Sequence, residues 1–352
     1  MIVIIPTARE INLNYLSPLI DHGARFIIVD DSPGNISVNH PSFEVYNWNH
    51  QEKMLGQHQK AIPRKNGACR DFGFYIAWKE SDKEEIIIAL DDDCDVVNQD
   101  FASLVEASLE MAERPVATGT GLHLNALDLY EDIPKNVFPR GFPYSSRIDY
   151  KEAIFIDKIA SKPSFNLGLW TSVFDINAID KIKGPEWNHP NATLKHPGVV
   201  VPKDTFISVC SMNMHFRSEL IPAVYQLPMH VEVFPGWPID RYGDIWGGFI
   251  LKLLMDIKGD TMTMGSPIID HLKEGNYERN IWQEHTCHLV NDEFIDLLLL
   301  AKDNIQPSNY VDMMANLNEI FKANTDHSSK ILARYLTHLT DCIDHWCIAL
   351  KK

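Results

Sequence analysis

No stretch of this chain reaches the ~18 consecutive apolar residues that a membrane-spanning helix requires. Its apolar opening, Met1-Ile2-Val3-Ile4-Ile5-Pro6, is too short for a secretory signal and has no basic residues ahead of it. Cysteine is sparse: Cys69, Cys94, Cys210, Cys287, Cys342 and Cys347 are scattered and form no CxxC pair. That excludes a zinc ribbon and a disulfide framework and leads us to expect a soluble protein in a reduced, cytoplasmic setting. Positive charge is also short, with 32 Lys and Arg against 48 Asp and Glu and a net charge of −16. Such a surface gives no general help toward nucleic acid or anionic membranes. An anionic substrate would therefore need a metal or a few well-placed cations. Internal repeats are absent. What is present is ample apolar matter, 45% of 352 residues, enough for one large α/β domain with additions.

Short buried runs alternate with helical spacing in the first third. Residues 2–5 read as a strand, 12–22 as a helix and 25–29 as a second strand, the pattern of a right-handed βαβ unit in a parallel sheet. Ligands of such sheets lie at the carboxyl ends of the strands, where Thr7, Arg9, Asp30 and Asp31 fall. Residues 67–79 read as a helix, 85–90 as a strand, 101–113 as an amphipathic helix and 116–120 as another strand. Residues 125–202, rich in proline, glycine and aromatics, read as loops over a sheet edge, including Asn166-Leu167-Gly168-Leu169-Trp170. From about residue 291 the spacing is helical. The expected organisation is a nucleotide-binding unit over 1–290 and a helical extension over 291–352. That extension either packs on its own domain, the favoured reading, or contacts a second copy or a related subunit.

Five clusters carry chemistry. Strand 85–90 runs straight into Asp91-Asp92-Asp93. Three carboxylates at the end of a buried strand repel one another, and a divalent cation removes that cost. Hard oxygen ligands suit Mn²⁺ or Mg²⁺, which keeps open positions for substrate phosphates. The plainer reading is a solvated acidic turn. His271, after a strand over 266–270, is placed to complete the ligand set, and Lys273 to meet a phosphate. Lys65 and Arg70 flank the start of a helix, whose free N–H groups favour anions. Arg140 and Arg147 bracket a stiff aromatic loop and, from residue chemistry alone, read as diphosphate ligands. In Asp240-Arg241-Tyr242-Gly243-Asp244-Ile245-Trp246, Asp244 could cap a helix, accept a sugar hydroxyl or stabilise positive charge at an anomeric carbon.

Taken in order, these stretches resemble the reversibly glycosylated polypeptides, also called UDP-arabinopyranose mutases, a glycosyltransferase family with a GT-A core. The resemblance rests on Ile4-Ile5-Pro6-Thr7, residues 65–74, Asp91-Asp92-Asp93-Cys94, residues 140–147, Gly168-Leu169-Trp170, Val201-Pro202-Lys203, Cys210-Ser211-Met212-Asn213, residues 241–246, residues 271–276 and Trp282-Gln283-Glu284. It covers about the first 290 residues. It implies a GT-A-like (Rossmann-like), mixed but mainly parallel sheet flanked by helices. It also implies interconversion of UDP-arabinopyranose and UDP-arabinofuranose with a divalent metal, usually Mn²⁺, and reversible attachment of the sugar to an arginine of the enzyme. By the motif that arginine is Arg140, and Arg147 is the second arginine the activity needs. Asp91 and Asp93 with His271 are the implied metal ligands, and Asp92 belongs to the same motif. One position departs: the plant-type motif reads Arg-Tyr-Asp-Asp-Met-Trp, whereas this chain has Gly243 before Asp244. That puts arabinose in question as the sugar.

The expected mechanism has the metal holding the diphosphate and Arg147 and Lys273 neutralising it as UDP leaves. Arg140 captures the sugar with help from Asp244. Two alternatives stand beside it: a transferase with an external acceptor, and a non-catalytic nucleotide-sugar-binding subunit.

Overall fold

The computed structural model describes the chain except residues 33, 35, 39, 120, 135, 183–187, 273, 274 and 352. The strands are β1 Ile2–Thr7, β2 Arg25–Asp30, β3 Phe43–Asn47, β4 Ile86–Leu90, β5 Cys94–Asp95, β6 Ala112–Thr118, β7 His123–Leu124 and β8 Ile154–Ser161. They continue as β9 Phe165–Val173, β10 Asn188–His189, β11 Gly198–Val200, β12 Phe206–Ile207, β13 Asn213–Arg217, β14 Val231–Phe234, β15 Trp237–Ile239 and β16 Met262–His271. The helices are α1 Ser17–Asp21, α2 Trp48–Leu55, α3 Arg70–Glu80, α4 Phe101–Ser108 and α5 Ala178–Lys181, then α6 Gly243–Lys258, α7 Tyr277–Lys302, α8 Tyr310–Asn324 and α9 Lys330–Leu350.

The central sheet runs β3-β2-β1-β4-β13-β9-β16-β11-β6-β8. Its first four strands are parallel, as the βαβ reading predicts. Beyond β4 the sheet is mixed: β13 is antiparallel to β4 and β9, and β16 is parallel to β9. Because β1 and β4 are parallel neighbours, their carboxyl ends open side by side. β16 brings its own carboxyl end to the same edge by pairing with β5, His271 opposite Cys94.

Two expectations needed correction. The helix read over 101–113 stops at Ser108, and Pro115 lies within β6, paired on one side with β8. The supposed loop Asn166-Leu167-Gly168-Leu169-Trp170 is instead β9, a fully buried central strand. Residue 290 lies inside the unbroken helix α7. The apolar face of α9, including Tyr335, Leu339, Ile343 and Trp346, is buried in the same core cluster as Ile4 and Phe26. The helical tail therefore packs on its own chain. Among the described residues, no helix is long and apolar enough to cross a membrane.

Candidate active site

The carboxyl ends of β1 and β4 supply the first half of the site. Thr7 Oγ1 donates to Asp92 Oδ2 at 2.6 Å. The Arg9 guanidinium bridges Asp92 and Asp93, the latter at 3.2 Å. Arg70 is 1% exposed; it donates to the Leu90 carbonyl at 2.8 Å and pairs with Asp91. Each carboxylate of the run thus faces a cation already. Burial pushes the Asp91 carboxyl above its usual range; Arg70 opposes the shift and Asp93 reinforces it.

His271 reaches this edge with its ring fixed. Nδ1 lies 2.7 Å from the Val173 carbonyl, which can only accept, so Nδ1 carries the proton and Nε2 is left as the bare ligand nitrogen. Asp91, Asp93 and His271 Nε2 are donors of the kind that suits Mn²⁺ or Mg²⁺, but among the described residues their ligand atoms do not gather within 4.8 Å of one another. Among the described residues, Asp175, Cys210 and Asp244 bring their atoms within 4.8 Å of one another. That trio surrounds a guanidinium, and burial drives the Cys210 thiol well above its ordinary range, so it acts as an arginine cradle.

Two cavities meet at the aspartate run. One of about 680 Å³ is lined by Thr7, Arg9, Asp31, Lys65, Asp91 and Asp93, among others. Trp48 flanks it: its indole N–H donates to Asp31 at 2.8 Å, and Lys65 Nζ lies 5.6 Å from its ring centre. Asp30 does not share this role. It is buried and accepts from the Ser32 backbone and hydroxyl at 2.8 and 2.5 Å, so it shapes the turn rather than the cavity. Lys273 lies outside the described residues. The second cavity, about 300 Å³, shares Asn66, Gly67 and Asp91 with the first and adds Arg140, Gln226 and Asp244.

Arg140 is only 6% exposed, and all five of its N–H groups are engaged. Nε and Nη2 donate to Asp175 at 2.8 and 2.9 Å. Nη2 and Nη1 donate to Asp244 at 2.8 and 3.1 Å, and Nη1 also meets the Arg241 carbonyl. Burial works against the charge, but the two carboxylates outweigh it and hold the guanidinium protonated well above its ordinary range. Asp244 lies in the first turn of α6 and accepts from the Ile245 N–H at 3.0 Å, but no side chain caps this helix. Arg147 lines neither cavity. It pairs with Asp180 at 2.8 Å and lies over the Phe138 and Tyr144 rings at 4.8 and 4.1 Å. Instead of facing a diphosphate, it braces the loop that presents Arg140.

The sequence pattern of the reversibly glycosylated polypeptide family matches residues 1–352. This chain belongs to that family. Among its relatives, UDP-arabinopyranose mutase 3 from Arabidopsis thaliana is 30% identical over 86% of this chain and 84% of its own. Probable UDP-arabinopyranose mutase 4 from the same plant is 29% identical over 86% and 79%. Probable UDP-arabinopyranose mutase 2 from Solanum tuberosum is 28% identical over 98% and 88%. A solved mannosyltransferase from Pyrobaculum calidifontis, in complex with GDP-Man and Mn²⁺, aligns at a TM-score of 0.35 and 12% identity over 99% of this chain and 85% of that one.

Within this family member, the sequence motifs pointed neither to Gln226 and His230 at the smaller cavity nor to Asp175, which holds Arg140 beside it. Asp175 stands two residues beyond β9, a strand whose polar interruptions hid it in the sequence. Gln226 and His230 lie in no motif. His230 donates from Nδ1 to Asp240 Oδ2 at 2.6 Å and from Nε2 to the Lys65 carbonyl at 3.1 Å. Both partners accept, so the two bonds are made together only by the imidazolium, and the bond to Asp240 raises its pKa. His230 and Arg241, which line this cavity, and Lys65, which lines the larger one, all have φ near +60°, so strained residues stand at both.

Proposed function

We propose that this chain interconverts the pyranose and furanose forms of a UDP-linked sugar, an arabinose-like pentose, through a glycosyl-arginine on Arg140. The observation that carries the reading is the pair of adjoining cavities meeting at Asp91, with Arg140 held between Asp175 and Asp244 beside the smaller one. The names of the relatives support it. The larger cavity suits the nucleotide: Trp48 offers an aromatic flank, and Asp31 in its lining offers an acceptor for ribose hydroxyls. A divalent cation on Asp91, Asp93 and His271 Nε2 would neutralise the diphosphate as a Lewis acid. Arg70 fixes Asp91. Arg9, 44% exposed at its side chain, is free to turn from Asp92 and Asp93 toward a phosphate.

The sugar lies in the smaller cavity with its anomeric carbon toward Arg140. The C1–O bond breaks with its electron pair leaving on the UDP oxygen. A guanidinium nitrogen bonds C1 and passes its proton to Asp244, 2.8 Å away. Two carboxylates around one guanidinium hold two negative charges where an oxocarbenium-like carbon develops, which lowers that barrier. The ring then opens, closes through a different hydroxyl, and UDP displaces Arg140 as Asp244 returns the proton.

One observation favours a second reading. The full engagement of Arg140 keeps it protonated, which suits a structural arginine in a transferase that uses an external acceptor. A single experiment separates the two. With Mn²⁺ and UDP-arabinopyranose but no acceptor, the protein should yield the furanose nucleotide by chromatography or NMR. Arg140→Lys should lower this at least a hundredfold. A fully active Arg140→Lys variant, or a wild type giving hydrolysis alone, would sink the glycosyl-arginine route.

A further inference from the structure

Helix α6 begins with two glycines one turn apart, Gly243 and Gly247, and neither has room for a side chain. A β-carbon on Gly243 would lie 2.6 Å from the Leu227 carbonyl oxygen, and one on Gly247 would lie 2.5 Å from that of Tyr225. The backbone of residues 225–227 therefore lies directly on the first turns of α6. It is tied there by the Leu227 N–H donating to the Gly243 carbonyl at 3.1 Å. A second tie runs from the Gln226 N–H to the buried Asp71 carboxyl at 3.0 Å. The segment is pinned at Gln226 itself and at Leu227.

Pinning fixes the Gln226 side chain at the smaller cavity. Gln226 is only 5% exposed, yet among the described residues nothing hydrogen-bonds to its side-chain amide. The amide is not sealed off from the cavity, so it is free to bond whatever enters there. The Ser211 hydroxyl, on the same wall, is also without a partner among the described residues, while the Ser211 N–H points to Asp244 at 3.4 Å. A carboxamide offers two donors and an acceptor, the complement of a sugar's vicinal hydroxyls.

We propose that Gln226, with Ser211 beside it, reads the hydroxyls of the bound sugar and sets which sugar this chain accepts. This rests on the smaller cavity being the sugar pocket. It assigns specificity to a residue outside every motif and gives Gly243 a purpose. A carboxylate-bearing residue at that position would displace the segment that carries Gln226. Selectivity therefore comes from a carboxamide on the 225–227 segment rather than from an extra acid on α6.

The test is calorimetric titration of the full chain, with Mn²⁺ present, by UDP, UDP-arabinopyranose and UDP-xylose, its 4-epimer. In Gln226→Met, of similar volume, the Kd for UDP should stay within twofold. The Kd for UDP-arabinopyranose should rise about tenfold, and the ratio between the two epimers should change. Gln226→Glu, which keeps the shape and removes the donors, should give the same split and serves if the Met variant folds poorly. Equal changes for UDP and the UDP-sugars, or no change for any of them, would overturn the proposal. The ring-size assay on the wild type keeps the two ideas apart. Altered epimer selectivity without ring change means that the reaction is wrong and the pocket right. Ring change with unaltered selectivity means the reverse.

Discussion

At the scale of single residues, His230 links two walls of the smaller cavity, and the link depends on its charge. A neutral imidazole donates once, but Asp240 and the Lys65 carbonyl both require a donor, so deprotonation must release one wall. The groups facing His230 are Asp240, which favours the charge, and Arg279, which opposes it. Its folded pKa lies above the ordinary 6.5. Its stabilising contribution is thus complete below about pH 6.5 and fades as pH rises through the higher folded value. Thermal midpoints measured from about pH 6 to pH 8.5 should fall, and His230→Gln should fall less over the same window. Identical pH profiles for the two proteins would show that the link adds nothing. The side chain is partly exposed, so the effect is a shift of a few degrees rather than loss of the fold.

At the scale of elements, legibility in the sequence followed the purity of the hydrophobic pattern. β1, β2 and β4 are built on short unbroken apolar runs, and each was readable, as were the carboxylates that follow β4. β9 was not. Its Asn166 and Gly168, and Asn213 and His215 on neighbouring β13, break the apolar run. They do so because they form a buried polar seam across the sheet. Asn166 meets His215 at 3.1 Å, His215 meets Asn213 at 2.7 Å, and Asn213 donates to the Leu169 and Pro267 carbonyls at 3.0 and 2.9 Å. Gly168 makes room for the seam: a β-carbon there would sit 2.2 Å from Asn213 Nδ2. Satisfying these groups depends on three strands far apart in sequence, so no local window reveals it. The seam matters for function, since β9 ends at Val173, whose carbonyl orients His271, and leads on to Asp175. Asn213→Leu leaves two buried carbonyls and one imidazole nitrogen without their partners. It should cost about 2–4 kcal/mol in urea unfolding. A loss below about 0.5 kcal/mol would mean that buried water replaces the seam.

At the scale of the whole molecule, the question is why a nucleotide-sugar fold carries three further helices. The tail does not extend away from the site; α9 lies behind the segment that lines the smaller cavity. Trp346 stacks on Tyr225 at 5.1 Å between ring centres and donates to the Pro222 carbonyl at 3.1 Å. Tyr335 packs on Trp246 and donates to the Pro228 carbonyl at 3.1 Å, and Arg334 donates to the Val233 carbonyl at 2.7 Å. Residues 222–233, which include Gln226 and His230, are thus clamped between α6 and α9. No apolar face of α9 is left over to dock a second subunit, apart from single exposed residues such as Ile348. The tail should therefore act on the sugar half of the site and spare the nucleotide half. Trp346→Ala should lose about 3–5 kcal/mol of stability, as expected for a fully buried tryptophan. Below its melting point, it should weaken UDP-arabinopyranose binding more than UDP binding, because the cavity of about 680 Å³ is built from β1, β4 and the residues before α3. Unfolding should remain a single transition, since one core runs from Ile2 to Leu350. Two separate transitions, with unchanged sugar affinity in Trp346→Ala, would instead mark the tail as an independent attachment helix.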